Sequence, residues 1–111
     1  MQITEAKQEP FTVVGVSGKL DAGSAPQLEA KLTDLIDRGC RHLVIACAGL
    51  DYCSSAGMRV FLLAAQKLDD ADGKLGVAGM QDMVKDVFDM AGFLDLFEFF
   101  PTTEDAVKAL A

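Results

Sequence analysis

Two adjacent serines, Ser54 and Ser55, stand where a predicted loop turns into a predicted helix. Serine is a preferred helix N-cap, so the plainest interpretation of the pair is capping with no further role. The same position also suits an anion, because free N–H groups and the helix dipole meet at a helix start. A phosphate on Ser55 would add about −1.5 to −2 charges while leaving the fold intact. The pair therefore indicates either a cap or a modification site.

Nucleophilic catalysis fits these serines poorly. The nucleophile elbow needs G-x-S-x-G, and Cys53 occupies the place of the first glycine before Ser55. His42, the single histidine, begins its predicted strand at the end opposite the serine loop, so we expect no base within reach. We therefore expect that the chain is not an enzyme.

Metal and thiol chemistry are also poorly supported. Cys40, Cys47 and Cys53 are odd in number and lack CxxC spacing, which is typical of reduced thiols in a cytoplasmic protein. A zinc site built on histidines within one chain is excluded by the single histidine. We expect no metal and no cofactor, and we expect two of the thiols to lie buried near the central strand.

Nucleotide and receiver-domain interpretations lack their motifs. Neither GxxxxGK[ST] nor GxGxxG occurs, so we expect no nucleotide site. Asp51 as a phosphoacceptor would need paired acidic residues after the first core strand to hold magnesium, and FTVVGVSGKL has none. Asp69, Asp70 and Asp72 are interpreted as a solvated helix end.

Length and charge limit the remaining classes. The chain has 111 residues, of which 50% are hydrophobic, so a single domain over residues 1–111 with its own core is expected. The formal net charge of −7 argues against non-specific binding to nucleic acid or anionic lipid. The start MQITEAKQEP lacks a signal-peptide apolar segment, and no run approaches a spanning helix, so we expect no membrane insertion.

The first half of the chain predicts a hairpin, a helix and a buried strand. FTVVGVSGKL is strand-like, with Val14 and Val16 on one face, and QITEA is a weaker strand suited to a sheet edge. DAGSAPQLEAKLTDLIDRG predicts a helix in which Ser24 caps, Gln27 completes a capping box and Gly39 is the stop. HLVIACAG is apolar throughout, as a strand buried on both faces must be.

The second half continues the alternation of helices and strands. The helix from Ser54 or Ser55 runs to Asp72-Gly73, KLGVAG predicts a strand, and MQDMVKDVFDMAG predicts an amphipathic helix stopped by Gly92. FLDLFEFF predicts a last strand, and TTEDAVKAL a helix capped by Thr102 or Thr103. Spacing places most of the methionines and phenylalanines of this half in the core, with a partner-facing rim as the open alternative: Met80, Met83, Met90, Phe93, Phe97, Phe99 and Phe100.

Alternating strands and helices predict one α/β domain with a largely parallel sheet. Ligand sites in such sheets lie beyond the carboxyl ends of the strands. Two loops occupy that position, GKLDAGS and GLDYCSSAG. If their strands are parallel neighbours, Asp21 and Ser55 share one edge of the molecule.

These residues also resemble a known family. The element order, together with GKLDAGSAPQLEAKL, DYCSSAGMRVFLLAAQ and VKDVFDMAGFLDLFEFFPTTEDAVKAL, is similar to a bacterial anti-sigma factor antagonist, a stand-alone STAS domain. The resemblance covers nearly the whole chain, and S-S-A-G-M-R-V is its most specific part. It implies a mixed four- to five-stranded sheet flanked by about four helices.

The resemblance implies a binding protein switched by phosphorylation. In that family the unphosphorylated antagonist binds an anti-sigma factor, a serine kinase of the GHKL ATPase type, and so releases the kinase's target. The kinase phosphorylates the serine two residues before a glycine, which here is Ser55 before Gly57, and a PP2C-type phosphatase reverses the modification. The common D-S-S-G spelling differs here, since Ser54 replaces the aspartate and Ala56 the second serine.

The resemblance and the residue chemistry together predict a docking face for the kinase. Its residues are Asp21, Ser24, Ser54, Ser55, Gly57, Met58 and Arg59. The open alternative is a STAS adaptor that is not phosphorylated, such as a subunit of a lipid-transport or stress-signalling assembly, in which the serine would serve only as a cap.

Overall fold

The computed structural model describes residues 1 to 111, in which strands and helices alternate. The strands are β1 Gln2–Gln8, β2 Phe11–Leu20, β3 His42–Cys53, β4 Lys74–Ala78 and β5 Phe99–Phe100. The helices are α1 Ala25–Asp37, α2 Ser55–Asp70, α3 Asp82–Met90 and α4 Thr103–Leu110, and a 3-10 turn, Leu94–Leu96, precedes β5. None of these helices combines the length and the apolar character needed to traverse a bilayer.

The strands form one five-stranded sheet in the order β1-β2-β3-β4-β5. β1 runs antiparallel to β2, and every later neighbour is parallel. The predicted mixed α/β sheet is therefore confirmed. Because β2, β3 and β4 are parallel, the loops that follow them open at the same edge of the sheet.

The two faces of the sheet are covered unequally. Alternate residues of β2 pack into a different apolar cluster on each face. Val14 and Val16 belong to the larger apolar cluster, which buries residues of α1, α2 and α3. Phe11 and Val13 belong to a smaller cluster on the other face, closed by Ala106 of α4. The three connections between parallel strands place α1, α2 and α3 on one face, and the C-terminal helix covers the other.

The predicted hairpin is confirmed at the edge of the sheet. β1 pairs along its whole length with β2, from Gln2 opposite Ser17 to Gln8 opposite Phe11. Only Ile3 within β1 is partly buried, so the strand is polar and solvated as an edge strand requires.

β3 is longer than HLVIACAG predicted, and the extra residues form part of the site. It continues to Cys53 because its parallel pairing with β2 resumes after register shifts near Ser17 and Gly18, and it ends with Leu20 opposite Cys53. Leu50 and Cys53 are buried in this extension. The expected loop GLDYC is therefore strand, held by bulged pairing that apolar patterning did not reveal.

The segment FLDLFEFF does not form the single strand that was predicted. It folds as the 3-10 turn followed by a two-residue strand, β5. Phe97 and Phe99 turn inward and join an edge-to-face aromatic cluster with Phe61 and Phe88, whose ring centroids lie 5.4–6.3 Å apart. The aromatic side chains thus pack into the core from an irregular backbone.

The core assignment of the methionines is wrong for two of them. Met83 and Met90 of α3 are 72% and 88% exposed. Only Val84 and Phe88 of this nine-residue helix are buried, so α3 rests on the core along a narrow stripe.

The predicted glycine stops of α1 and α3 and the predicted cap of α4 agree with the structure, whereas α2 ends at Asp70, two residues before the predicted Asp72-Gly73. Gly39 and Gly92 have φ values of 105° and 78°, the left-handed conformation that ends α1 and α3. Thr102 caps α4, since its hydroxyl accepts a hydrogen bond from the Asp105 N–H at 3.1 Å.

Candidate functional site

Ser54 and Ser55 have different surroundings at the start of α2. Ser54 is the N-cap, with extended backbone, and its Oγ accepts a hydrogen bond from the Gly57 N–H at 3.3 Å. Its backbone is also held, because its N–H donates to the Leu20 carbonyl at 2.9 Å and its carbonyl accepts from the Met58 N–H at 2.9 Å. The capping task that both serines could perform is therefore carried out by Ser54.

Ser55 is the first residue of α2, and its side chain is exposed. Its hydroxyl has no hydrogen-bond partner within the chain, and no structural task is evident for it. Of the first N–H groups of α2, the Ser54 cap takes only that of Gly57. The hydroxyl thus sits beside unpaired backbone donors at the positive end of a 16-residue helix, a position favourable to an anion.

The loop after β2 is organised by its own side chains. The Oδ1 atom of Asp21 accepts hydrogen bonds from the Gly23 N–H at 3.0 Å and the Ser24 N–H at 3.1 Å. The Ser24 hydroxyl accepts from the Asp21 N–H at 3.0 Å, and its own hydrogen is shared between the Lys19 carbonyl at 3.0 Å and Asp21 Oδ1 at 3.2 Å. These bonds fix the conformation of the loop and leave Asp21 Oδ2 free.

The same bonds stabilise the charged form of Asp21. The Ser24 backbone N–H contributes most, followed by the Ser24 hydroxyl, and together with the Gly23 N–H they hold the pKa of Asp21 below its ordinary value. The carboxylate is therefore ionised at neutral pH.

The predicted capping role of Ser24 needs correction. Ser24 is the N-cap residue of α1, but its side chain makes no capping hydrogen bond and no capping box forms with Gln27. Only the Ser24 carbonyl accepts from the Gln27 N–H, at 3.1 Å. The hydroxyl oxygen instead accepts from the Asp21 N–H within the loop, so a local backbone donor takes the place of a helix N–H.

Strand pairing and one glycine bring the two loops together. Leu20 at the end of β2 lies opposite Cys53 at the end of β3. A Cβ on Gly57 would lie 2.7 Å from Leu20 Cγ and 2.9 Å from Cys53 Sγ, so the first turn of α2 can sit on Leu20 only because residue 57 has no side chain. The expectation that Asp21 and Ser55 share one edge is confirmed.

The remaining predicted face residues separate into exposed and buried ones. Arg59 is exposed one turn after Ser55, at the i,i+4 spacing that puts both on one side of the helix. Met58 is only 5% exposed and belongs to the core, and Gly57 is buried as well. Met58 was predicted to face a partner, and this is wrong for its side chain.

The predicted face residues that are exposed or only partly buried are here named the Ser55 edge: Asp21, Ser24, Ser54, Ser55 and Arg59. Its charge is mixed, because it carries one carboxylate, Asp21, and one guanidinium, Arg59. The sequence interpretation missed its neighbours Asp51 and Tyr52, which are exposed on the extension of β3. The stretch GLDYC carries no period-2 signal, because the buried Leu50 and Cys53 are three residues apart, so its strand character is visible only in the fold.

The other nucleophile candidates lie in unreactive surroundings. His42 is at the opposite end of β3, where its ring packs edge-on against Phe11 with centroids 5.2 Å apart. Burial raises the pKa of the Cys53 thiol to about 12, and burial raises that of Cys47 still further. Both thiols are protonated at neutral pH and serve as small apolar core groups.

The family model of the STAS domain matches residues 2–106. The chain belongs to the STAS domain family. This match spans every strand of the sheet and both loops of the Ser55 edge.

Curated relatives of this STAS domain share its whole length. It is 36% identical over 109 residues to the putative anti-sigma factor antagonist BtrV of Bordetella bronchiseptica, covering 98% of this chain and 94% of that protein. It is 29% identical over 104 residues to the anti-sigma-B factor antagonist of Staphylococcus aureus, covering 94% and 96%.

Solved structures show the same fold at lower sequence identity. The anti-sigma factor antagonist SpoIIAA in its unphosphorylated form superposes with a TM-score of 0.84 at 20% identity, over 97% of this chain and 95% of that one. A putative anti-sigma factor antagonist from Thermotoga maritima gives 0.92 at 10% identity, over 97% and 93%. The likeness extends over the complete sheet and its helices.

Proposed function

We propose that this STAS domain is an anti-sigma factor antagonist that works as a phosphorylation-controlled binding protein. In its unmodified form the Ser55 edge docks an anti-sigma factor that is also a GHKL-type serine kinase, and the kinase's target is released. The kinase phosphorylates Ser55, and a PP2C-type phosphatase restores the free hydroxyl. The protein itself performs no catalysis in this cycle.

The observation that carries the proposal is the division of labour between the two serines. Ser54 performs the capping, so the hydroxyl of Ser55 is exposed and unbonded. A phosphate there would break no hydrogen bond of the fold and would be stabilised by the helix start. The names of the curated relatives, which include anti-sigma factor antagonists of two bacterial genera, support the same function.

The effect of the phosphate on docking follows from charge and bulk. The phosphate would add about −1.5 to −2 charges beside the ionised Asp21. The surface that receives this charge is the one that binds the kinase while Ser55 is unmodified. A partner shaped to that form would have to accommodate an unpaired charge in the interface, which weakens binding. The domain would remain folded, since no core residue takes part.

The adaptor alternative fits the structure less well. In an adaptor the serine would be present as a helix cap, but Ser54 already caps α2 and leaves Ser55 without that role. Nothing else in the fold requires a hydroxyl at residue 55.

Incubation with ATP and the cognate kinase tests the proposal. We expect one phosphate per chain, located at Ser55 by mass spectrometry, absent in Ser55→Ala and retained in Ser54→Gly, which removes the other hydroxyl at modest cost to the cap. An unmodified chain that remains bound to its partner in the presence of ATP would support the adaptor instead.

A further inference from the structure

One exposed flank of α3 is apolar, although packing against the core does not require it. Met83, Val87 and Met90 are 72%, 37% and 88% exposed. Their i, i+4, i+7 spacing places them on one side of the helix, and the buried Val84 and Phe88 lie on the adjacent side that faces the core. The three exposed residues are here named the α3 ridge.

An acidic stripe borders the ridge on its solvent side. Asp82, Asp86 and Asp89 repeat the same spacing, displaced from the ridge by one residue or about 100° around the helix. The one basic residue of α3, Lys85, is turned away and lies 5.0 Å from the centre of the Phe99 ring. The exposed surface of α3 is therefore an apolar ridge with uncompensated negative charge on one flank.

The ridge begins close to the Ser55 edge. Gln81, the N-cap residue of α3, donates a hydrogen bond from Nε2 to the Ala48 carbonyl at 3.1 Å and lies 3.5 Å from Asp51 Oδ1. Asp51 stands on the extension of β3 that leads into Ser55. From this anchored start, the nine-residue helix extends for about 13 Å.

The negative charge beside the α3 ridge limits which kind of partner can bind it. Two copies of this chain would bring their aspartate stripes together, and each copy carries a formal net charge of −7, so self-association is opposed. A protein partner that presents an apolar cleft with a lysine and arginine rim would match both the ridge and the stripe.

We propose that the α3 ridge is the docking surface for the phosphatase that resets Ser55, and that the phosphatase carries such a basic-rimmed apolar cleft. This inference rests on the proposed function, because it concerns the return step of the same cycle. The phosphatase must bind the phosphorylated form. In that form the Ser55 edge no longer fits a partner shaped for the free hydroxyl. An apolar ridge beside that edge keeps its affinity whatever charge Ser55 carries.

Dephosphorylation kinetics test the assignment directly. Phosphoserine is introduced at residue 55 during translation, so the substrate does not depend on the kinase, and kcat/KM is measured with the cognate PP2C-type phosphatase. We expect Met83→Ser/Met90→Ser to lower kcat/KM by at least tenfold, while the rate at which the kinase modifies the unphosphorylated variant stays within twofold of wild type. Both methionines are exposed, so an unchanged melting temperature is the accompanying check on folding.

A charge-matched pair of variants isolates the acidic flank. Asp86→Lys/Asp89→Lys reverses two charges of the stripe, and Asp69→Lys/Asp70→Lys reverses two exposed charges at the end of α2. We expect the first pair to lower dephosphorylation kcat/KM at least fivefold and the second to change it less than twofold.

The outcomes separate this inference from the proposed function. Unchanged dephosphorylation in the methionine variant, an equal loss with both enzymes, no dephosphorylation of the wild-type phosphoprotein, or a concentration-dependent dimer abolished by Met83→Ser/Met90→Ser would each overturn the ridge assignment. Failure of the kinase to modify Ser55 would overturn the proposed function, while the phosphoserine substrate would still report on the ridge.

Discussion

The Ser55 edge and the α3 ridge begin near the same strand extension but are constructed differently. At the Ser55 edge the Asp21 loop and the Ser54 cap are held by short local hydrogen bonds, whereas the Ser55 hydroxyl is unbonded. The α3 ridge has no such network and consists of two largely exposed methionines and a partly exposed valine. The first surface is fixed by hydrogen bonds and its binding depends on the charge of Ser55, whereas the second is adaptable and its binding does not depend on that charge. A protein that must bind one partner in one state and another in both states needs surfaces of both kinds.

The largest expected effect comes from placing a charge at the rigid surface. Ser55→Glu should weaken binding to the kinase by about 2–4 kcal/mol, because a carboxylate would be held in the interface without a partner. Isothermal titration with the purified kinase measures it, and Ser55→Ala is the matched uncharged control.

The same substitution should leave the fold unaffected. Ser55 is exposed and its hydroxyl makes no hydrogen bond, so the free energy of unfolding of Ser55→Glu should stay within about 0.5 kcal/mol of wild type. If Ser55→Glu binds the kinase with wild-type affinity, charge at residue 55 is not the basis of the switch, and the Ser55 edge does not differ from the α3 ridge in this respect.

The next effect concerns the packing that makes the Ser55 edge rigid. Gly57→Val should lower the free energy of unfolding by about 1–3 kcal/mol, because the added Cβ would meet Leu20 and Cys53 at under 3 Å. Urea denaturation measures the change, and Ala30→Val introduces valine at an exposed position of α1, where a cost of only about 0.5 kcal/mol is expected. Equal costs at the two sites would show that α2 can move off Leu20, and that the edge is not held as the structure indicates.

A smaller effect is expected in the Asp21 loop. Asp21→Asn keeps an oxygen that can accept from Gly23 and Ser24, whereas Asp21→Ala removes it, so the alanine variant should lose more kinase affinity than the asparagine variant. Titration against the kinase ranks the two. If asparagine costs as much as alanine, the carboxylate charge and not the loop conformation is what the partner recognises.

The lowered pKa of Asp21 sets the direction of its pH dependence. A carboxyl group whose folded pKa is depressed contributes stability above its unfolded pKa and loses that contribution as the pH falls through the folded value. The order of the loop should therefore be complete at neutral pH and decline only on acidification below the ordinary aspartate range, visible in the chemical shifts of the Gly23 and Ser24 amides.

The relative position of the two loops at this site could be predicted from sequence, because it depends only on the order and direction of two strands. Asp21 and Ser55 lie at the same edge whenever the strands that precede them are parallel neighbours. Apolar patterning is enough to predict those two strands. The extension of β3 to Cys53 could not be predicted in this way, since bulged pairing with β2 interrupts the regular alternation.

The methionines show why side-chain exposure was harder to predict. Met58 and Met83 both lie in predicted amphipathic helices, but Met58 faces the core in a helix packed closely through Gly57, and Met83 belongs to a helix with only two buried residues. How closely a helix approaches the sheet decides between these outcomes, and helical spacing alone carries no information about it. Ser24 is a similar case, because three backbone groups compete for one hydroxyl and only the folded loop decides the result.

The smallest expected effect tests whether the Ser55 edge stabilises its own phosphate. Arg59 lies one turn after Ser55, at the spacing where an arginine and an anion on a helix attract each other by about 0.3–0.5 kcal/mol. Since one pKa unit corresponds to about 1.4 kcal/mol, Arg59→Gln should raise the second pKa of a phosphate on Ser55 by about 0.2–0.4 units. Phosphorus NMR titration of the phosphoserine protein resolves such a change, and Lys74→Gln, at the opposite edge of the sheet, should leave the pKa unchanged. A shift of equal size in both variants would mean that the phosphate senses only the net charge of the protein. A shift confined to Arg59→Gln would mean that this surface partly neutralises the phosphate, so that bulk contributes to the loss of docking alongside charge.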